Sequence, residues 1–225
     1  MPQNRIVPIY SLALRQLLSL SDFERMAGTR APEPKFGLSR MQELLDRAGI
    51  QKNATPTIHI AGTKGKGSVA AMVSNILKGS GTKVGLFTSP HLHHFRERIR
   101  VDGEPVSEDE FAFALDALWP HIVSMGKESL HGRPTTFEAL TAMALRIFQR
   151  HVIDIKVIEV GLGGRLDSTS VLYGDIAVIT PISLDHTHIL GGTLDRIAFE
   201  KSGIIKSGSK VILAPQPAQA KEVLE

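Results

Sequence analysis

The chain has 225 residues, 42% hydrophobic and 22% charged, which is enough apolar material for a sizeable core and argues against disorder over most of its length. Lys plus Arg is 26 and Asp plus Glu is 23, and the resulting net charge of +3 is too small to argue for a nucleic-acid partner. With no Cys, disulfide scaffolds, zinc ribbons, iron–sulfur sites and thiol nucleophiles are excluded, and a cytoplasmic setting is expected. No apolar run approaches the ~18–20 residues of a membrane span. The first twenty residues lack the basic start and small-residue cleavage site of a signal peptide.

Leu12, Leu14, Leu17, Leu18 and Phe23 recur at helical spacing and predict a helix over 10–27. A breaker-rich loop follows at 28–34, then a short helix at 39–48 stopped by Gly49. Strands and helices then alternate. A strand at 57–61 leads through a Gly-rich turn to a helix at 67–78, and a second strand is expected at 83–87. Residues 99–101 read as a short strand beside a turn at Gly103. Ser107 and Glu110 form a capping-box signature for a helix running to Trp119. Phe137, Leu140, Ala144, Ile147 and Phe148 mark a helix over 136–151. Strands are expected at 153–160, 176–182 and 211–213, with a helix at 194–202. Residues 218–225 read as the first turns of a helix without a stop signal, as if the chain were cut from something longer. This order predicts an α/β fold with a mostly parallel sheet covered by helices on both faces.

The segment Ala61-Gly62-Thr63-Lys64-Gly65-Lys66-Gly67-Ser68 lies between a strand and a helix. Its glycines let a phosphate approach the backbone, and the helix N-terminus adds partial positive charge. Lys66 is placed to reach outer phosphates, and the Ser68 hydroxyl to face a metal or phosphate. The spacing departs from G-x-x-x-x-G-K-[ST]: Ile60 stands where the first Gly belongs, and Gly67 follows the Lys. Glu159 ends an apolar strand just before Val160-Gly161-Leu162-Gly163-Gly164, where open α/β sheets bind ligands. It is either a Mg²⁺ ligand or the ion-pair partner of an Arg such as Arg165. By residue type alone Ser89 reads as a turn serine, Lys201 as a surface lysine and His186 as a surface or capping histidine, although Asp185-His186-Thr187-His188 is dense in ligand types.

The phosphate-loop segment resembles that of the folylpolyglutamate synthase / dihydrofolate synthase family, relatives of the Mur ligases. Further matching segments follow in that family's order: Thr88-Ser89-Pro90-His91-Leu92, Arg96-Glu97-Arg98-Ile99-Arg100, Thr136-Phe137-Glu138, Glu159 through Asp167, Leu184-Asp185-His186-Thr187 and Glu200-Lys201-Ser202-Gly203-Ile204. The resemblance implies a P-loop-like ATP-binding domain of the Mur-ligase central type over residues 1–225, truncated and without the C-terminal domain that completes the ATP and glutamate sites. It implies ATP-dependent addition of L-glutamate to dihydropteroate or folyl(poly)glutamate through an acyl phosphate. ATP contacts fall on Gly62, Thr63, Lys64, Gly65, Lys66, Gly67 and Ser68. Ser89, Glu159 and His186 become ligands for two Mg²⁺ ions, with Mn²⁺ suited to the histidine site. Lys66, Glu159, His186 and Lys201 become catalytic, and Lys201 a site of carbamylation by CO₂. Pteroate or folate contacts fall on Gly37, Leu38, Thr135, Thr136, Phe137, Glu138, Leu166, Asp167 and Ser168; Phe137 either stacks on a ring or belongs to the core. Arg96, Arg98 and Arg100 alternate as on a strand, a solvated face that also suits a polyglutamate tail. The expected protein is a monomer with no nucleic-acid or membrane partner. The fragment by itself is expected to bind nucleotide without turnover, and a Mur-type ligase acting on a peptide precursor is the remaining alternative.

Overall fold

The structure, a computed structural model, describes residues 9–22 and 37–225. Phe23, the expected loop at 28–34, Lys35 and Phe36 lie outside the described residues. The sheet has seven strands: β1 (Thr57–Ala61), β2 (Val84–Phe87), β3 (Ile99–Val101), β4 (Glu104–Pro105), β5 (Ile155–Glu159), β6 (Ile176–Ile179) and β7 (Lys210–Leu213). Their order is β4-β3-β2-β5-β1-β6-β7. Neighbours from β2 to β7 are parallel, while β3 and β4 form an antiparallel hairpin at one edge. The four residues of β7, at the other edge, expose Val211 at 41% and Ile212 at 56%, on opposite faces of the strand.

Helices cover both faces, as the alternation predicts. They are α1 (Tyr10–Leu18), α2 (Ser39–Arg47), α3 (Lys66–Gly79), α4 (Glu108–Glu128), α5 (Thr136–His151), α6 (Thr187–Leu190), α7 (Leu194–Ser202) and α8 (Ala218–Leu224). On one face α1, α2, α4 and α5 bury Leu17, Leu44, Phe111, Leu115 and Phe148 against Phe87 and Ile158. Further along that face α7 and α8 pack on Ala177 and Ile179. The opposite face packs Ile58, Ile60, Val84, Leu86 and Val157 under α3. Each fully buried side chain of this size stabilises the fold by roughly 1.5–3 kcal/mol. Among the described residues no helix is long and apolar enough to cross a membrane.

Three elements depart from the periodicity. The first helix ends at Leu18, where Ser19 Oγ donates to Gln16 O at 2.6 Å and Leu20 N to Leu17 O in a tighter turn. The Thr136 N–H then takes Ser21 O at 3.0 Å, pinning the chain to the start of α5. Helix α4 does not stop at Trp119 but runs through Pro120 to Glu128. The proline removes the bond to the Asp116 carbonyl, but both residues lie on the exposed side of the helix, and the continuation buries Ile122 and Met125. Finally, the Arg96-x-Arg98-x-Arg100 alternation is not one strand. A 3₁₀ turn over Phe95–Arg98 carries the first two arginines and only Arg100 lies on β3, so Arg98 is buried rather than solvated.

Candidate functional site

Parallel strands bring the loops after β1, β2, β5 and β6 to one end of the sheet, and the register places Glu159 beside Ile60 and Ile158 beside Phe87. That end of an open α/β sheet is where ligands bind. After β1 the backbone turns at Gly62, whose φ of +146° suits glycine. A Cβ there would fall 1.8 Å from Thr180 Oγ1, so this glycine serves close packing on the exit of β6. Thr63 N and Lys64 N donate to Pro181 O at 3.1 and 3.4 Å, and Thr63 Oγ1 both donates to Ser183 O and accepts from Ser183 N at 3.1 Å. The first half of the predicted phosphate loop is therefore latched to the neighbouring loop, a long-range tie invisible in the sequence.

The second half is built differently. Gly65, at φ +84°, precedes α3, and the first intrahelical bond runs from Val69 N to Gly65 O. The N–H groups of Lys66, Gly67 and Ser68 thus sit in the first turn, ahead of any i−4 carbonyl, aimed out of the helix end. A Cβ at Gly67 would lie 3.4 Å from both carboxylate oxygens of Glu159, so the bare glycine leaves a cradle between α3 and that carboxylate.

Glu159 is 4% exposed. Burial raises its pKa; the Ser89 N–H and the charges of Lys66 and Arg98 oppose that, and Asp167 adds to it. Its Oε2 accepts from Ser89 N at 3.1 Å, which brings the two predicted metal ligands together. Arg165 takes Glu200 instead, at 2.8 Å, so the ion-pair reading of Glu159 with Arg165 is set aside. Lys201 is not a surface lysine. It is 4% exposed and its Nζ donates to Gly62 O at 2.8 Å. Burial and, after it, the charge of Lys66 pull its pKa down to about 8, against the pull of Asp185 and Asp167.

His186 caps the short α6 with φ +46° and is exposed beside Asp185, its Nε2 3.8 Å from the Asp185 carboxylate. No group of three His, Cys, Asp or Glu side chains able to hold a metal gathers among the described residues. Any Mg²⁺ at Glu159 must then draw on the Ser89 hydroxyl, phosphate oxygens and water, a normal set for this ion.

Several side chains of the segments expected to touch a pterin also make bonds within the fold. Thr135 and Glu138 cap α5 reciprocally, with Thr135 N donating to Glu138 Oε2 at 2.8 Å and Glu138 N to Thr135 Oγ1 at 3.2 Å. Arg40 pairs with the same carboxylate at 2.7 Å. Thr136 Oγ1 reaches Leu17 O at 3.3 Å. Asp167 is buried, its carboxylate accepting from Leu162 N at 2.9 Å and from Thr169 Oγ1 at 2.5 Å, and burial raises its pKa. Ser168 Oγ bonds Thr141 Oγ1 at 2.8 Å. Phe137 packs against the core, 5.8 Å from the Phe87 ring centroid and directly over Gly161. Leu38 precedes α2 and accepts from Gln42 N at 2.8 Å; like Gly37 and Leu166 it is half-buried.

No protein-family model matches the chain. Curated relatives do. The dihydrofolate synthase/folylpolyglutamate synthase of Bacillus subtilis is 41% identical over 191 residues, 84% of this chain and 44% of that protein. The enzyme of the same name from Mycobacterium tuberculosis is 38% identical over 221 residues, 93% of this chain and 45% of the relative. The crystal structure of folylpolyglutamate synthase from Thermotoga maritima superposes with a TM-score of 0.83 at 39% identity, covering 96% of this chain and 46% of the other. An FPGS–AMPPCP–folate complex does so with a TM-score of 0.85 at 33% identity, covering 96% and 50%. The chain thus spans about half the length of the relatives it matches. In sequence and in fold it belongs, as a stretch matching their amino-terminal part, to the folylpolyglutamate synthase / dihydrofolate synthase family.

Proposed function

We propose that this chain is the ATP-holding part of a ligase that adds L-glutamate to dihydropteroate or to folyl(poly)glutamate. The carrying observation is the convergence at one sheet end of the N–H groups of α3, Lys66, the Ser89–Glu159 pair and buried Lys201. The N–H groups of Gly65 to Ser68 and the Lys66 ammonium hold the β- and γ-phosphates. The substrate carboxylate attacks the γ-phosphorus, ADP leaves with the bridging electron pair, and an acyl phosphate forms. The glutamate amine then adds to that acyl carbon, and phosphate departs. Holding both partners in line supplies much of the rate enhancement.

Mg²⁺ fits the donors present. Glu159 is a buried oxygen donor beside a bare Gly67, with Ser89 alongside, and the ion supplies neutralisation of charge during phosphoryl transfer. His186 and Lys201 are assigned to a second divalent site, where Mn²⁺ suits the imidazole. Lys201 reaches that role as a carbamate. Its neutral amine nitrogen attacks CO₂, the C–N bond forms as one C–O π pair moves to oxygen, and the ammonium proton passes to water. The product is an anion where a cation stood. Pterin contact is proposed for Gly37, Leu38, Thr135, Thr136, Phe137, Glu138, Leu166, Asp167 and Ser168, of which Thr135, Glu138, Asp167 and Ser168 also serve capping and loop structure.

The activity is proposed for the whole protein that carries this sequence, and the remaining ATP contacts and the glutamate contacts are assigned outside residues 1–225. By itself the chain is proposed to bind nucleotide without turnover. The setting proposed is cytoplasmic, in keeping with the absence of Cys, and the protein is proposed to be a monomer. ADP release dependent on both glutamate and dihydropteroate or folate tests the reading. ADP release only with a peptide precursor would replace it with a Mur-type ligase.

A further inference from the structure

The mechanism above gives Arg98 no part, yet it is 4% exposed. Burying a guanidinium is costly unless its donors and charge are met. Arg98 Nε donates to His91 Nδ1 at 2.9 Å, and its guanidinium carbon lies 5.5 Å from the Phe95 ring centroid. The His91 ring in turn packs on Phe95, at 4.3 Å between centroids. The Arg98 carbonyl accepts from Thr88 N at 3.0 Å. Arg98, at the end of the 88–98 loop, thus grips the loop's start twice, through its backbone at Thr88 and its side chain at His91. Glu97 fastens the middle, its carboxylate taking the N–H groups of Leu92, His93 and His94 at 2.8–3.0 Å. The residue so held between Thr88 and His91 is Ser89, whose N–H meets Glu159.

We propose that Arg98 is a positioning residue for the Mg²⁺·nucleotide site, fixing through His91 and Thr88 the loop that sets Ser89 against Glu159. Its charge also opposes the effect of burial on Glu159. The inference rests on the reading of Ser89 and Glu159 as the metal-binding pair. A fixed cation also repels a divalent ion, so two effects compete. The positioning effect is expected to be the larger, because loss of partners that orient metal ligands typically costs about 10–100-fold in metal affinity.

The test is binding of a fluorescent ATP analogue to the full chain, with and without Mg²⁺, for the unmodified protein, Arg98→Met, Arg98→Lys and His91→Ala. Mg²⁺ should tighten binding by the unmodified protein; if it does not, the metal-site reading itself fails and Arg98 is not the cause. Given that gain, Arg98→Met should lose about tenfold or more of it, while Mg²⁺-free affinity stays within about twofold, because the α3 N–H groups are untouched. His91→Ala should lose it in the same sense, since it removes a ring nitrogen that accepts from Arg98 Nε. Arg98→Lys, which keeps the charge without the planar donor fork, should fail to restore it. A full Mg²⁺ gain in Arg98→Met, or in His91→Ala and Arg98→Lys should the methionine variant not melt cooperatively, overturns the proposal.

Discussion

Lys201 Nζ donates to the carbonyl oxygen of Gly62 at 2.8 Å, joining residues 139 apart in the chain. Helix α7 is thereby tied to the first residue of the phosphate loop by a buried amine whose pKa burial has lowered to about 8. A nitrogen of that kind is partly neutral near physiological pH, the form that reacts with CO₂. In the whole protein, Lys201→Ala is expected to lose most activity, with some returned by acetate or formate. Lys201→Arg should stay inactive, because Arg cannot form a carbamate. Labelled bicarbonate should give a carbamate NMR signal lost in both variants. Near-normal activity in Lys201→Arg would decide for a phosphate-binding cation instead.

Lys66→Ala should lower ATP turnover by about 10²–10³-fold, the usual cost of one donor aimed at charge developing in the transition state. The Lys66 side chain is half-exposed at the first position of α3, so the melting temperature should hold. Loss of turnover together with loss of cooperative melting would show that the residue acts on the fold.

Gly62→Ala should destabilise the protein by about 2–4 kcal/mol, since it combines a backbone clash with a conformation unsuited to L side chains. The new methyl would meet Thr180 Oγ1 at 1.8 Å and Thr180 O at 2.9 Å. Adding Thr180→Ala removes only the first contact, so the double variant should recover part of the stability. Urea unfolding of the three variants measures this, and full additivity of the two losses would refute it.

His59 lies fully buried on the central strand β1, its Nε2 2.8 Å from Thr169 Oγ1, and burial holds its pKa at about 3. The unfolded chain protonates near the ordinary value of 6.5. Between those values the unfolded state binds the extra proton. The stability His59 confers is therefore intact above pH 6.5 and falls as pH drops toward 3, by at most about 1.4 kcal/mol per pH unit. Urea unfolding at pH 7 and 5.5 should show that loss, with a shallower slope in His59→Gln; equal slopes would count against it.

Local chemistry made much of this molecule readable. Strand β1, helix α5 and the capping box at Ser107 follow from apolar periodicity and from cap residues at the right offset. Glu159 was legible because an apolar run ended in a carboxylate before glycines. What stayed hidden rests on partners distant in sequence. Nothing local tells that Gly62 is shaped by Thr180, or that Thr63 latches to Ser183. Lys201 and Arg98 read as surface cations because their burial comes from packing against other elements. On the pterin side, Thr135 and Glu138 form a capping box, a long-recognised local role that residue type alone does not separate from ligand contact.

The two margins of the sheet are chemically unequal. At one, β4 contributes two residues, one of them Pro105, which has no N–H to offer a newcomer. At the other, β7 presents four residues with Val211 and Ile212 bare on opposite faces, and no proline among them. Among the described residues, backbone polarity and apolar surface favour a further strand at β7 more than at β4. Any added strand is therefore better received at β7, and a charged substitution at Ile212 would make that edge less adhesive.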